Sequence, residues 1–451
     1  MVVSTSTSPL LRLRLISSHL SPSSGRRLAS SSCAPPRRPR RPLYSFTTAC
    51  SFRGKPGSPV YEPDADASDK GKRSPFVEQG LPRTHPLARW RDAQLEKQPW
   101  GAGHDWFFVE GIPRDAQRQV EGEDPDGQSG ESVTVRGTRG VVMGVADGVG
   151  GWEESGVDPS HFSQALMWFA RQRVKSGEAF PSLSTAPNGQ RLKEVLDGSF
   201  RDVLKEKAIV AGSSTACLVA LDAETGRLHA ANLGDSSFSI LRPSPPTSSN
   251  PLPTPPSSPG SSPQDPAAPS PPAIPLPKYT LIHVEPSQTH FFNAPYQLSK
   301  LPPWQRNEAS NSLMDSPLDA HATKVDGIQL KDGDVVVVST DGFGDNVFGE
   351  ELEQLCGLVH QKLLEDAAAA AAAVGSSNDA SPSSTSALAV DPHVLSSSLA
   401  QTCLNFARLV MPKRDKVTPF EVEARKYGYG RELGGGKTDD CLVVVAVVSC
   451  Q

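Results

Sequence analysis

The sequence predicts an α+β fold in which antiparallel sheets are covered by amphipathic helices. Three observations predict it. Short, β-branched apolar runs recur between residues 141 and 448, several of them follow one another with no helix between, and separate segments repeat apolar residues at helical spacing. Of the 451 residues 42 are proline, clustered rather than spread, so part of the chain lies outside the core. With 37% hydrophobic and 21% charged residues, the remainder suffices for one core of roughly 250 residues.

The strand candidates in chain order are VVMGVA (141–146), TACLVALD (215–222), LHAANL (228–233), FSILR (238–242), YTLIHV (279–284), DVVVVS (334–339) and CLVVVAVV (441–448). Their length and β-branched content favour strand over helix. The helix candidates carry apolar stripes. Asp158-Pro159 supplies an N-cap and a first-turn proline ahead of Phe162, Ala165, Leu166 and Phe169. Leu192, Val195, Leu196 and Val203 form a second stripe, Leu352, Leu355, Cys356, Val359 and Leu363 a third, and Leu399, Cys403, Phe406 and Val410 a fourth.

The chain divides into a leader (1–61), a linker (62–98) and one folded domain (99–451). The leader holds nine arginines and no acid before Glu62, and LLRLRLISSHL separates basic from apolar residues on a helix. That is the makeup of an organelle transit peptide, disordered until imported. It favours a mitochondrial destination, the matrix, over a chloroplast or the cytoplasm. Two insertions are expected to be disordered, 243–277 for its proline and serine, and 366–391, which opens as an alanine run extending a helix. FSILR and YTLIHV would pair as a hairpin across the first, since each doubling of loop length costs only ~0.6 kcal/mol. The acidic, glycine-rich tract 121–131 reads as a surface loop.

A net charge of −5 argues against a nucleic-acid partner. No run of about 18 apolar residues proposes a transmembrane helix. The seven cysteines show no CxxC pair or zinc spacing, and Cys217 and Cys441 sit in apolar runs as core residues. Reduced thiols and a monomer are expected. GRELGGGKT ends like a P-loop, but Arg431 stands where glycine is required and the segment leads into a strand.

Carboxylates fall at the ends of the most apolar runs. Asp147-Gly148 closes VVMGVADG, Asp235 follows LHAANLG, Asp341-Gly342 and Asp345 follow VVVVST, and Asp439 and Asp440 precede the last strand. A core strand would hold the backbone while each acid projects from its rim. Two carboxylates about 5 Å apart repel by roughly 3 kcal/mol at an effective dielectric of ~20, which bound divalent cations relieve. All-oxygen ligation selects hard ions, Mg²⁺ or Mn²⁺. Asp-Gly is also ordinary turn chemistry, and only its repetition at strand ends weighs against that reading.

GVADGVGGW (144–152), GSSTACLV (212–219), ANLGDSSF (231–238), STDGFGDNVF (339–348) and GGKTDDCLVVVAVV (435–448) together resemble, in order and spacing, the motifs of the type 2C (PPM) metal-dependent protein serine/threonine phosphatases. THFFNAPYQLS (289–299) and GVDPSHFSQALM are similar to the mitochondrial branch. The resemblance implies a four-layer α-β-β-α sandwich of two antiparallel sheets flanked by helices. It also implies hydrolysis of phosphomonoesters on phosphoproteins, by a water shared between two Mg or Mn ions and without a phosphoenzyme. Asp147, Asp341 and Asp439 would be catalytic as metal ligands, with Asp105 in GHDWFFV and the Gly148 carbonyl completing the pair. Asp235 and Asp345 match a weaker third ion.

Three departures stand beside it. His104-Asp105 replaces the usual Glu-Asp. Val149 replaces a histidine that protonates the leaving oxygen, a role left to a metal-bound water or to His104. No arginine matches the family's phosphate anchor, and Arg136, Arg139 and Lys437 read as solvated charges. His161, His283 and His290 read as structural. The departures keep open a catalytically silent phosphatase fold acting as a binding module.

Overall fold

The computed structural model describes residues 44–56, 81–96, 98, 100–114, 133–134, 138–180, 188–244, 276–305, 315–318, 322–375 and 390–450. Their strands are β1 (Tyr44–Arg53), β2 (Trp106–Ile112), β3 (Val133–Thr134), β4 (Gly140–Ala146), β5 (Gly212–Ser214), β6 (Ala216–Asp222), β7 (Arg227–Leu233) and β8 (Ser237–Pro243). There follow β9 (Tyr279–Val284), β10 (Thr289–Phe291), β11 (Ala294–Pro295), β12 (Leu298–Lys300), β13 (Thr323–Gln329), β14 (Val335–Ser339) and β15 (Cys441–Cys450). The helices are α1 (Pro86–Leu95), α2 (Ser160–Lys175), α3 (Gly189–Lys205), α4 (Asp341–Gly344), α5 (Gly349–Gly375), α6 (Pro392–Val410) and α7 (Pro419–Lys426).

One sheet runs β3-β1-β15-β14-β8-β9 and the other β13-β7-β6-β4-β2. Every pairing in them is antiparallel. Helices α5 and α6 cover the first sheet and α2 and α3 the second, giving the expected four layers. β15 shows why the sequence takes this form. Leu442, Val444, Ala446 and Val448 face the core between the sheets, while Cys441, Val443, Val445 and Val447 face the helices. A strand covered on both faces is apolar at every position. Each fully buried valine contributes roughly 1.5–3 kcal/mol.

All seven strand runs and all four helical stripes form as expected, and β8 pairs with β9 across the proline-rich insertion. Cys217 and Cys441 are buried free thiols. Two boundaries change. Tyr44–Arg53, assigned to the disordered leader, is strand β1, in register with β15 over its whole length from Tyr44↔Cys450 to Arg53↔Cys441. Phe46, Cys50 and Phe52 alternate into the inter-sheet core, which holds the strand despite its serines and threonines. The stretch assigned to the linker contains α1, whose Leu87 and Ala88 are fully buried. The insertion at 366–391 is helical as far as Gly375, because α5 continues through the alanine run. The leader before Tyr44, the tract 121–131 and the centres of both insertions lie outside the described residues. No described helix is long and apolar enough to cross a membrane.

Candidate metal centre

The acids arrive at one edge from both sheets. Asp147 leaves the end of β4 and Asp235 lies just beyond β7, both in the five-stranded sheet. Asp341 follows β14 and Asp439 precedes β15 in the six-stranded sheet. One carboxylate oxygen from each of Asp147, Asp235 and Asp341 lies within 4.8 Å of the others. Asp105, just before β2, is 1% exposed, and its Oδ2 accepts a 2.7 Å hydrogen bond from Thr340 Oγ1. The buried Oδ1 atoms of Asp105 and Asp235 have no hydrogen-bond partner. Asp345, in the turn after α4, and Asp439 join the group through Lys437, described below.

Burial, then the Asp341 charge, pushes the Asp147 carboxyl well above the usual carboxylate range. Asp235 rises for the same two reasons, and Asp105 through burial and then Asp440. Burial followed by Asp341 raises Asp439, and burial lifts Asp345 to about 6. Such crowding marks a site built around a cation. The donors are all oxygens, with orphaned carboxylate atoms among them and no imidazole or thiol in the described cluster, so the residues fit a hard divalent ion.

Surrounding bonds fix these acids. Thr215 N–H donates to the Asp147 carbonyl at 3.0 Å, and Asp147 N–H donates to Thr215 Oγ1 at 3.2 Å. Gly148 N–H donates to the His104 carbonyl at 3.2 Å, and a Cβ at 148 would come within 2.8 Å of the His104 and Pro159 carbonyl oxygens. Trp152 Nε1–H donates to Ser213 Oγ at 2.7 Å, and Ser213 in turn to Gln297 Oε1 at 2.5 Å. Three of the motifs, GVADGVGGW, GSSTACLV and THFFNAPYQLS, are thus joined by one chain of hydrogen bonds.

The departures resolve in part. His104 Nε2 lies 2.9 Å from Glu153 Oε1 and its Nδ1 3.5 Å from Asp440 Oδ2, so the ring braces the site's outer wall. Val149 donates its backbone N–H to the Ser213 carbonyl. Among the other histidines, His161 lies 3.7 Å from Asp158, His283 stacks on Phe238, and His290 lies 3.0 Å from Asp315, none in the acid cluster.

Two residues read as solvated are not. Arg139 is 4% exposed, whereas Arg136 lies outside the described residues. Lys437 Nζ lies 2.5 Å from Asp341 Oδ2, 2.9 Å from Asp345 Oδ2 and 3.1 Å from Asp439 Oδ2. Burial disfavours its charge, but Asp341, Asp345, Asp439 and Asp235 together outweigh that and push it well above the ordinary lysine range. The glycine run before it is packed. A Cβ at Gly436 would come within 2.4 Å of the Val410 carbonyl oxygen, and Gly435 N–H donates to Glu421 Oε2 at 2.9 Å. The one sequence signal available was the position of Lys437, two residues before Asp439.

Beside the acids a cleft of about 450 Å³ is lined by Asp341, Asp345, Phe292, Phe343, Leu352 and Phe420. At its mouth Phe292 packs against Phe420, Tyr427 and Tyr429, with ring centroids 5.3, 5.8 and 4.9 Å away.

No family model matches the chain. Among curated proteins it is 31% identical over 312 residues to the protein phosphatase PTC7 homolog of Xenopus laevis, covering 68% of this chain and 77% of that one. To the human PTC7 homolog it is 31% identical over 313 residues, 68% of this chain and 75% of the other. Among solved structures it overlays the photosystem II phosphatase PBCP with a TM-score of 0.43 and 22% identity, over 76% of this chain and 98% of that one. The relatives cover most of both chains, and the acids of this chain's motifs meet at one edge of the sandwich. The chain belongs to the type 2C (PPM) metal-dependent protein serine/threonine phosphatases, in the branch of the PTC7 homologues.

Proposed function

We propose that this phosphatase works with two divalent cations, Mg²⁺ or Mn²⁺, held by Asp105, Asp147, the Gly148 carbonyl, Asp341 and Asp439, and that its substrates are mitochondrial phosphoproteins. The observation that supports a metal-ion reading is the convergence of Asp147, Asp235 and Asp341 from two sheets, with carboxylate oxygens left unpartnered beside them, and the count of two is what the resemblance implies. The arginine-rich, acid-free leader supports the mitochondrial assignment.

Bound cations supply Lewis acidity, acidifying water and neutralising the phosphate oxygens. The chain's own residues do the positioning. Asp147, Asp341 and Asp439 are the catalytic carboxylates that hold the ions in register with the cleft. The Thr215 and Thr340 bonds keep Asp147 and Asp105 from turning away. His104 is engaged by Glu153, and the Val149 side chain has no proton to transfer, so the leaving oxygen takes its proton from solvent. The cleft beside Asp341 and Asp345 receives the peptide flanking the phosphorylated residue, with Phe292 and Phe420 against its apolar side chains.

The test is phosphate release from a phosphothreonine peptide by the full chain with Mn²⁺, Mg²⁺ or EDTA, beside Asp341→Asn. Metal-dependent turnover that the substitution lowers by at least about a hundredfold is expected. A folded protein that neither turns over nor binds Mn²⁺ would favour the silent scaffold.

A further inference from the structure

We infer that Gln297 is a positioning residue for the reaction: through Ser213 it anchors the loop that follows Asp147, and so sets how tightly the acid cluster holds a divalent cation. The inference rests on the metal-ion reading above. It gives a task to THFFNAPYQLS (289–299), a motif that supplies none of the acids.

Asp147 sits where β4 ends, so its carboxylate is aimed by the chain that follows. That chain leans on β5. Gly148 bridges Ser214, and Val149 N–H donates to the Ser213 carbonyl at 3.0 Å. A three-residue strand cannot stand alone, and β5 takes its support from β12, with Ser214 opposite Leu298, Ser213 opposite Ser299 and Gly212 opposite Lys300. β12 is the fixed side. Leu298 is fully buried, and the Lys300 ammonium donates to the Val203 and Glu206 carbonyls at 2.7 Å each, at the C-terminal end of α3.

The side chains extend this link. Ser213 has one hydroxyl proton, and Gln297 Oε1 takes it at 2.5 Å. The lone pairs are thereby left to the Trp152 indole N–H, which donates at 2.7 Å. Trp152 closes its own loop, donating its main-chain N–H to the Val149 carbonyl at 3.3 Å and accepting from Val157 N–H at 3.1 Å. Gln297 is held in turn, since its N–H donates to Asp315 Oδ2 at 3.0 Å, an atom that also lies 3.0 Å from His290 Nε2. Without the Gln297 acceptor the Ser213 proton is free to turn toward the indole, and the relay breaks. The loop behind Asp147 then gains freedom that a bound cation must remove. Loss of such an outer partner weakens metal binding by about 10–100-fold.

The experiment titrates the EDTA-stripped full chain with Mn²⁺ while free Mn²⁺ is read by its electron paramagnetic resonance signal. Gln297→Leu should weaken Mn²⁺ binding by roughly 10–100-fold. At saturating Mn²⁺ its KM for a phosphothreonine peptide should stay within about threefold of the unmodified protein's. Gln297→Glu, which keeps an acceptor for Ser213, should restore the Mn²⁺ affinity to within about threefold. Trp152→Phe removes the indole N–H at the other end of the relay and should cost as much as Gln297→Leu. Combining Trp152→Phe with Gln297→Leu should lose no more than about threefold beyond the worse single variant, because both act through one hydroxyl. Unchanged Mn²⁺ affinity in Gln297→Leu overturns the inference, as do losses that multiply in the double variant or that Gln297→Glu leaves in place. Should Gln297→Leu fail to fold, Trp152→Phe decides, and unchanged affinity there overturns the inference. An unmodified protein that binds no Mn²⁺ would instead overturn the metal-ion reading, a result distinct from any of these.

Discussion

One carboxylate of Asp440 holds two separate backbones: Oδ2 accepts the N–H of His104 at 2.9 Å and Oδ1 the N–H of Lys55 at 2.7 Å. Asp440 is therefore the fixture for the segment that presents Asp105. Gly103, at φ +64°, passes so close to it that an added Cβ would overlap the carboxylate. Asp440→Ala leaves these amides without their acceptor, at about 1–3 kcal/mol for a buried one. It should also weaken Mn²⁺ binding by roughly 10–100-fold through the loosened Asp105. Urea unfolding and Mn²⁺ titration check the two effects, and unchanged metal affinity would exclude the positioning role.

Gly342 allows the turn that carries Asp341 to close on the last strand. A Cβ there would lie 1.8 Å from the Asp440 carbonyl oxygen, a buried backbone atom with nowhere to go, whereas Gly344 in the same turn has nothing within 4 Å. Gly342→Ala should destabilise the fold by about 2 kcal/mol or more, as overpacking does. Gly344→Ala should be neutral, or stabilising by up to ~1 kcal/mol. Equal unfolding midpoints for the two variants would refute the packing argument.

Stability without metal should fall as pH rises. Burial, against the pull of Lys437, lifts the Asp345 carboxyl from 3.8 to about 6. The folded state then binds more protons than the unfolded chain between those values. Its contribution is fully present below about pH 4 and lost as pH passes about 6. Asp105, Asp147 and Asp235 are raised in the same direction. For EDTA-treated protein, Asp345 alone should cost on the order of 3 kcal/mol between pH 4 and pH 7. With saturating Mn²⁺, which requires ionised carboxylates, that slope should reverse. Thermal unfolding at several pH values reads both, and parallel profiles with and without metal would contradict the cation assignment.

Phe292 joins the hairpin formed by β10 and β11 to the cleft through its contacts with Phe420, Tyr427 and Tyr429. Phe292→Ala should raise KM for phosphopeptides with an apolar residue beside the phosphorylated one by about 3–10-fold, the worth of one or two aromatic contacts. For peptides with acidic neighbours KM should move much less. An equal rise for both peptide classes would mean that the aromatic cluster only supports the fold.

The sheets were readable where burial is symmetric. β14 and β15 are apolar on both faces, and a run such as VVVV has no other use in a chain of this composition. The acids at their ends were readable for the same reason, since a strand that stops abruptly at Asp-Gly announces its rim. β1 was hidden because Thr47, Thr48 and Ser51 are buried among small contacts, and the neighbouring arginines and prolines dominate any window read across it. Lys437 was hidden for a different reason. Its role depends on Asn346, ninety residues earlier by number, and on glycines whose packing partners at Val410 and Lys413 are distant in sequence. The bond from Trp152 to Ser213 is of the same kind, a pairing of two motifs that periodicity in either cannot foretell.

The ladder between β1 and β15 sets a limit on how far this protein can be trimmed. Every residue of β15 from Cys441 to Cys450 pairs with β1, and on the other edge of β1, among the described residues, only Thr47 and Thr48 meet another strand, β3. Cleavage anywhere before Tyr44 leaves that seam closed. Cleavage after Arg53 would bare one whole edge of the most apolar strand in the molecule, an open template for association with a second chain. Trimming from the N-terminus should therefore stop before β1, and a protein begun after Arg53 is expected to be lost to aggregation before its chemistry is ever measured.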